Sequence, residues 1–197
     1  MWKKLLTMTS AALLLAVASC GGETPALTST PAAPATPAPT ATPEATEAPQ
    51  LTEAERAYMR WLADMHGTFE QTSQGLVERW QSSEKEGAGE VSPGTVEEME
   101  SLASTLQDYV EEVEGRQDVP VAVAEIHAAL LNEVHHWEAA APLLVEGVGA
   151  LSDGDEALFQ ETAEQADEEI QAAVEARREL LEAANRLLQA IQEGQSS

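Results

Sequence analysis

The chain has a single cysteine and few basic residues. The 197 residues include one cysteine, Cys20, so the chain cannot form an internal disulfide and its fold must be stabilised by core packing. Only 10 Lys and Arg stand against 35 Asp and Glu, which gives a formal net charge of −25. Nucleic acid and anionic lipid headgroups would be repelled by such a surface and are excluded as partners. The charge favours a solvated acidic surface or a cationic partner.

Motifs for covalent catalysis are also missing. The sequence has no Gly-x-Ser-x-Gly turn, no second thiol and no recognisable arrangement of Ser, His and Asp. A phosphate-binding glycine loop is absent too, since the one tight glycine cluster, Gly87 to Gly89, follows no predicted strand. We therefore predict that the protein is not an enzyme.

The N-terminus has the organisation of an export signal. Lys3 and Lys4 precede the apolar residues 5–19, a run of about 15 that is shorter than the ~20 needed for a transmembrane helix. The end of this run and the next residue read Val17-Ala18-Ser19-Cys20, which resembles the lipobox of bacterial lipoproteins. An ordinary secretory signal with an incidental cysteine, or an uncleaved anchor, is the alternative.

The resemblance to lipoproteins implies a modification and a location. Residues 1–19 would be removed as a signal peptide, and Cys20 would carry a covalent diacylglycerol as the new N-terminus. The protein would then be extracytoplasmic and anchored to the cell membrane. Gly21, in a position where Asp would favour the inner membrane, makes the outer membrane possible if the cell has two. Loss of Lys3 and Lys4 leaves 8 basic against 35 acidic side chains, a formal charge of −27.

Residues 20–50 are predicted to be the lipidated cysteine and a disordered linker. Residues 21–50 include seven Pro, seven Thr and eight Ala, and they include no Lys or Arg. Such a composition has little to bury, and its prolines favour extended polyproline II conformation. We expect a spacer that holds the following domain away from the lipid surface.

Residues 51–197 are predicted to form one all-α domain of four amphipathic helices. The first has Thr52 and Glu55 in a capping box, and the second has Ser92 as N-cap with Pro93 in its first position. The third is expected to begin near Pro120 and to close at Gly147 and Gly149, and the fourth to begin at Asp153. Apolar residues recur at three-four spacing in each helix. In the first helix the stripe comprises Tyr58, Leu62, Met65, Phe69, Thr72, Leu76 and Trp80, with Trp61 beside it.

Short connections between such helices favour an antiparallel up-down four-helix bundle. A coiled-coil dimer through the fourth helix is the alternative arrangement, and the oligomeric state stays open. Pro142 lies within the third apolar stripe and is expected to kink that helix, because proline removes a backbone hydrogen bond.

A helical domain with histidines raises the hypothesis of a metal site. Glu133 and His136 have the Glu-x-x-His spacing of di-iron bundles, but only one such motif is present where those bundles use two. A smaller site for copper, zinc or iron would draw on His66, His127, His135, His136 and Glu133. The competing interpretation is that core-facing histidines such as His127 are simply hydrogen-bonded within the domain.

Arg177 is a charged residue on the apolar stripe of the fourth helix. Its guanidinium is expected to reach water or a neighbouring glutamate, unless it provides an internal position for an anion or a partner.

The anchor, the spacer and the absence of catalytic motifs favour a non-enzymatic binding module at the cell envelope, with an envelope protein or a cationic molecule as its partner. A metal-binding or metal-sensing helical bundle is the alternative function.

Overall fold

A computed structural model describes residues 50–195, and in this range the protein is all-α. The predicted signal peptide, Cys20 and all of the linker except Gln50 lie outside the described residues. Four long helices and one short 3₁₀ turn make up the described chain. They are α1 (Glu53–Glu86), α2 (Pro93–Glu114), the 3₁₀ turn (Val121–Val123), α3 (Ala124–Asp153) and α4 (Glu156–Gln195).

The first two helices begin where their capping residues predict. The Thr52 hydroxyl accepts from the Glu55 backbone N–H at 3.2 Å, and the Glu55 carboxylate accepts from the Thr52 N–H at 2.6 Å. At the start of α2 the Ser92 hydroxyl accepts from the Thr95 N–H at 3.3 Å, and Pro93 occupies the first helical position. Both predicted caps are confirmed, and each satisfies a backbone donor that would otherwise lack a partner within its helix.

The boundaries of the last two helices differ from the prediction. The chain after Pro120 forms a 3₁₀ turn, and α3 begins only at Ala124. The same helix does not close at the predicted glycines but continues to Asp153, which was the expected start of α4. Gly154, with φ of 81°, ends α3, and the Asp155 carboxylate accepts from the Leu158 N–H at 3.0 Å at the start of α4. Gly154 provides the left-handed conformation that commonly follows a helix.

Glycine at position 147 has a packing role inside α3. A Cβ added there would lie 2.5 Å from Cη2 of Trp80 and 2.6 Å from the hydroxyl of Thr162, and closer still to Cζ3 of the indole. The absence of a side chain thus lets α3 approach the indole from α1 and the hydroxyl from α4. The helix tolerates this glycine because its propensity cost relative to alanine is only about 1 kcal/mol.

The predicted apolar stripes form the core. All seven residues of the α1 stripe are buried, and the aromatic ring of Trp80 stacks on Phe159 of α4 with 4.6 Å between centroids. The core contribution of α2 is smaller and comprises Met99, Leu106, Val110 and Val113. Pro142 lies inside α3 with its side chain exposed, and the kink expected there stays a prediction.

Helix α3 packs against each of the other three helices. Polar contacts follow the same interfaces: Trp61 to Glu112 joins α1 to α2, and His136 to Glu169 joins α3 to α4. No helix among residues 50–195 combines the length and apolarity needed to cross a membrane.

Candidate functional site

A fully buried glutamate joins three helices of the described domain. Glu133 on α3 has a relative exposure of 0%. Its Oε1 accepts a hydrogen bond from Nε of Arg177 on α4 at 2.8 Å, and its Oε2 lies 3.2 Å from Nε2 of His66 on α1. Both carboxylate oxygens therefore have partners, as a buried polar group requires.

Arg177 extends this arrangement to a second carboxylate. Its Nη1 lies 3.2 Å from Oε1 of Glu70 on α1, and the same oxygen accepts from the Gln74 side chain at 3.3 Å. We call His66, Glu70, Glu133 and Arg177 the Glu133 cluster. The sequence predicted that the Arg177 guanidinium reaches water or a neighbouring glutamate. In the structure it contacts two glutamates, Glu70 on α1 and Glu133 on α3.

The Glu133 cluster joins three helices by charge-assisted hydrogen bonds. Its one guanidinium, that of Arg177, is shared by the carboxylates of Glu70 and Glu133. Within the described residues no buried side-chain nitrogen or oxygen is left without a hydrogen-bond partner. Because these hydrogen bonds are satisfied, the cluster favours a role in fixing how α1, α3 and α4 meet. Removing Arg177 would leave Glu133 buried without its cation.

The structure gives each of the four histidines a different partner. His66 contacts Glu133, whereas Nδ1 of His127 lies 2.8 Å from the hydroxyl of Tyr58. The remaining two have separate carboxylates, His135 with Glu114 at 2.9 Å and His136 with Glu169 at 2.8 Å.

Of the proposed metal-ligating residues, only His66 and Glu133 are brought into contact. The two residues of the Glu-x-x-His motif, Glu133 and His136, bind different partners. Among residues 50–195 there is no group of three or more His, Cys, Asp or Glu side chains that could hold a metal ion. The metal hypothesis stays a prediction, and a metal at these positions would have to displace existing hydrogen bonds.

The pKa values of Tyr58 and His127, which contact each other, are both shifted from their usual values. Burial raises the pKa of Tyr58 to about 12, an effect that the nearby positive charge of Arg116 partly opposes. Burial also lowers the pKa of His127 below its usual value, and Arg116 acts in the same direction. Both shifts favour the neutral forms, in which the phenol and the imidazole share one hydrogen bond.

An open groove between α1 and α2 lies on the surface. Its volume is about 630 Å³, and it combines aromatic, aliphatic and charged side chains. We call it the α1–α2 groove. It is lined by Ala57, Arg60, Trp61, Asp64, Met65, Thr68, Tyr109 and Glu112.

The aromatic residues of the α1–α2 groove are held in place by neighbours. The indole N–H of Trp61 donates to Oε1 of Glu112 at 2.7 Å, and the guanidinium carbon of Arg116 lies 4.1 Å from the centre of the indole. Tyr109 packs edge to face against buried Phe69, with 6.0 Å between centroids. Both rings remain half-buried, so part of each is accessible to a ligand.

The α1–α2 groove is not among the sites predicted from the sequence. The sequence signal for this groove is the position of Trp61 directly beside the buried stripe of α1, since a large aromatic at that position lies at the edge of the core.

Comparison of the chain with protein-family models, with curated proteins and with solved structures finds no match.

Proposed function

We propose that this protein is an extracytoplasmic lipoprotein whose helical domain is a non-enzymatic binding module at the cell envelope. The lipobox at Cys20 and the proline-rich residues that follow it support the anchor and the spacer. Two or more acyl chains would provide stable attachment, whereas a single chain gives marginal binding.

The arrangement of the helices in this proposal is an antiparallel up-down bundle. Contacts between α1 and α2 run in opposite directions, since Trp61 meets Glu112 and Arg79 meets Glu98. The same is true of α3 and α4, where Arg186 meets Glu125 and His136 meets Glu169. In contrast, contacts between α1 and α3 run in the same direction, as in Tyr58 with His127 and His66 with Glu133. These directions are the ones that an up-down-up-down order requires.

The α1–α2 groove is the observation that carries the binding proposal. It places Trp61 and Tyr109 at the surface, and aromatic side chains of this kind are enriched where proteins bind partners. The charged groups of the Glu133 cluster, by contrast, are occupied in joining helices. The polar side chains of the cluster thus serve the structure, and the accessible aromatic side chains of the groove are proposed to make the contact.

The anchor is tested by the mass of the N-terminal peptide from the membrane fraction of the producing bacterium. The proposal expects a chain that begins at Cys20 and carries a diacylglycerol, and a Cys20→Ser variant that leaves the membrane fraction. An unmodified cysteine in the membrane-bound wild type would contradict the lipoprotein assignment.

The binding function is tested in living cells with a photoreactive residue at Thr68, which lines the groove and is exposed. The matched control carries it at Gln160, which is exposed on α4. The proposal expects an identified envelope protein crosslinked to position 68 and not to position 160. Products from position 160 alone would move the binding surface elsewhere, and no product from either position would refute a protein-binding module.

A further inference from the structure

The walls of the α1–α2 groove differ in charge. Helix α2 contains seven acidic side chains and no Lys, Arg or His. On the side of the groove formed by α1, Asp64 adds a carboxylate and Arg60 adds one cation. Of the seven, Glu112 lines the groove, and the other six lie elsewhere on a helix without a basic residue, in a chain whose formal charge is −25. Complementarity of charge favours a basic occupant over an acidic one.

The aromatic side chains distinguish between basic groups. A guanidinium is planar and less strongly hydrated than an ammonium ion, and it stacks on aromatic faces. The protein already uses Trp61 in this way, because the Arg116 guanidinium lies 4.1 Å from the centre of the indole. Glu112, which holds the indole N–H, places a carboxylate next to the same ring.

We infer that the α1–α2 groove binds an arginine-containing basic segment of a partner protein. This inference rests on the proposed function and adds the place of binding and the chemistry of the partner. Trp61 and Tyr109 would contact the guanidinium groups, and Asp64 would pair with one of them. Two cations would oppose binding and limit it to segments with several positive charges: Arg60, which lines the groove, and Arg116, which lies over the Trp61 indole.

The test uses the full-length protein in a neutral detergent, with nona-arginine and nona-lysine peptides as probes at physiological salt. We expect nona-arginine to bind about two- to fivefold more tightly than nona-lysine, which is the range of an exposed cation–π contact. In a Trp61→Leu variant that preference should disappear. Fluorescence anisotropy of labelled peptides provides the dissociation constants.

Charge-matched variants separate a site from general attraction. Asp64→Asn should weaken nona-arginine binding about two- to fivefold, as expected for an exposed ion pair. Glu179→Gln removes the same charge from an exposed position on α4, where it lines a separate groove with α3, and should change binding much less. Arg60→Gln should strengthen binding.

Equal losses in Asp64→Asn and Glu179→Gln, or equal affinities for the two peptides, would overturn the inference and leave only non-specific attraction. An absence of nona-arginine binding would also overturn it. The binding module itself would survive that result if crosslinking in cells still identified a partner, so the failures of the two proposals are distinguishable.

Discussion

Replacement of Gly147 by alanine is the sharpest test of how the helices meet. The added methyl group would lie 2.5 Å from Cη2 of Trp80 and 2.6 Å from the Thr162 hydroxyl, well inside van der Waals contact. Insertion of a methyl group into a well-packed core costs about 1–3 kcal/mol of unfolding free energy. Alanine returns about 1 kcal/mol because of its higher helix propensity. The net expectation is a loss between zero and about 2 kcal/mol.

Gly149 provides the matched control in the same helix. A Cβ there would have no atom within 4 Å, so Gly149→Ala should gain the helix propensity without the clash. The two variants should therefore differ by about 1–3 kcal/mol, the overpacking cost alone. With a urea m-value of about 2 kcal/mol/M, this corresponds to a separation of unfolding midpoints of about 0.5–1.5 M.

The measurement is urea unfolding of both variants followed by circular dichroism at 222 nm, with unchanged m-values as the check that the midpoints report stability. Trp80→Leu removes the larger neighbour, and in that background Gly147→Ala should cost less than in the wild type. Equal increases in midpoint for Gly147→Ala and Gly149→Ala would refute the close approach of Trp80 to α3.

Two further predictions concern charge. Arg177→Met should cost about 3 kcal/mol of unfolding free energy because it leaves Glu133 buried without its cation. Arg178→Met, the control at an exposed ion pair, should cost much less, and the double variant Glu133→Met with Arg177→Met should cost less than Arg177→Met alone. Urea unfolding measures the stability of all three variants. The raised pKa of Tyr58 means that the folded state keeps its proton longer than the unfolded state, so its stabilisation is present below pH 10 and lost between pH 10 and about pH 12. As the pH rises through this range, the free energy of unfolding should fall less steeply in Tyr58→Phe than in Tyr109→Phe, because the second variant keeps Tyr58. Midpoints of urea unfolding measured at a series of pH values would show the difference.

Much of the fold follows from local sequence signals. The three-four apolar spacing of α1 predicts all seven of its buried stripe residues, because burial of a helix face is decided by periodicity. The start of α2 follows from Ser92 and Pro93 for a similarly local reason. The end of α3 could not be obtained in this way. A glycine that permits close packing and a glycine that ends a helix are identical in sequence, and Gly147 was therefore misread.

The candidate sites were less accessible to sequence reasoning. Glu133 lies on the same heptad spacing as buried Leu130, Trp137 and Ala140, and Arg177 lies on the corresponding spacing of α4. Two opposite charges on the core faces of different helices favour a buried ion pair, but the sequence does not give the register that brings them together. For the same reason the spacing of Glu133 and His136 does not indicate that Glu133 contacts His66 while His136 contacts Glu169.

The proposed selection of a basic segment by the α1–α2 groove must depend on short-range contacts. A chain with a formal charge of −25 attracts any basic protein, and such attraction determines the rate of encounter more than the identity of the partner. The contact of a guanidinium with Trp61 acts over a few ångströms, so salt should screen it far less than the general field. Raising the ionic strength to 1 M shortens the Debye length from about 8 Å to about 3 Å and should weaken both peptides. The ratio of nona-arginine to nona-lysine affinity should nevertheless persist, and a ratio that falls to one at high salt would show that the groove distinguishes charge alone.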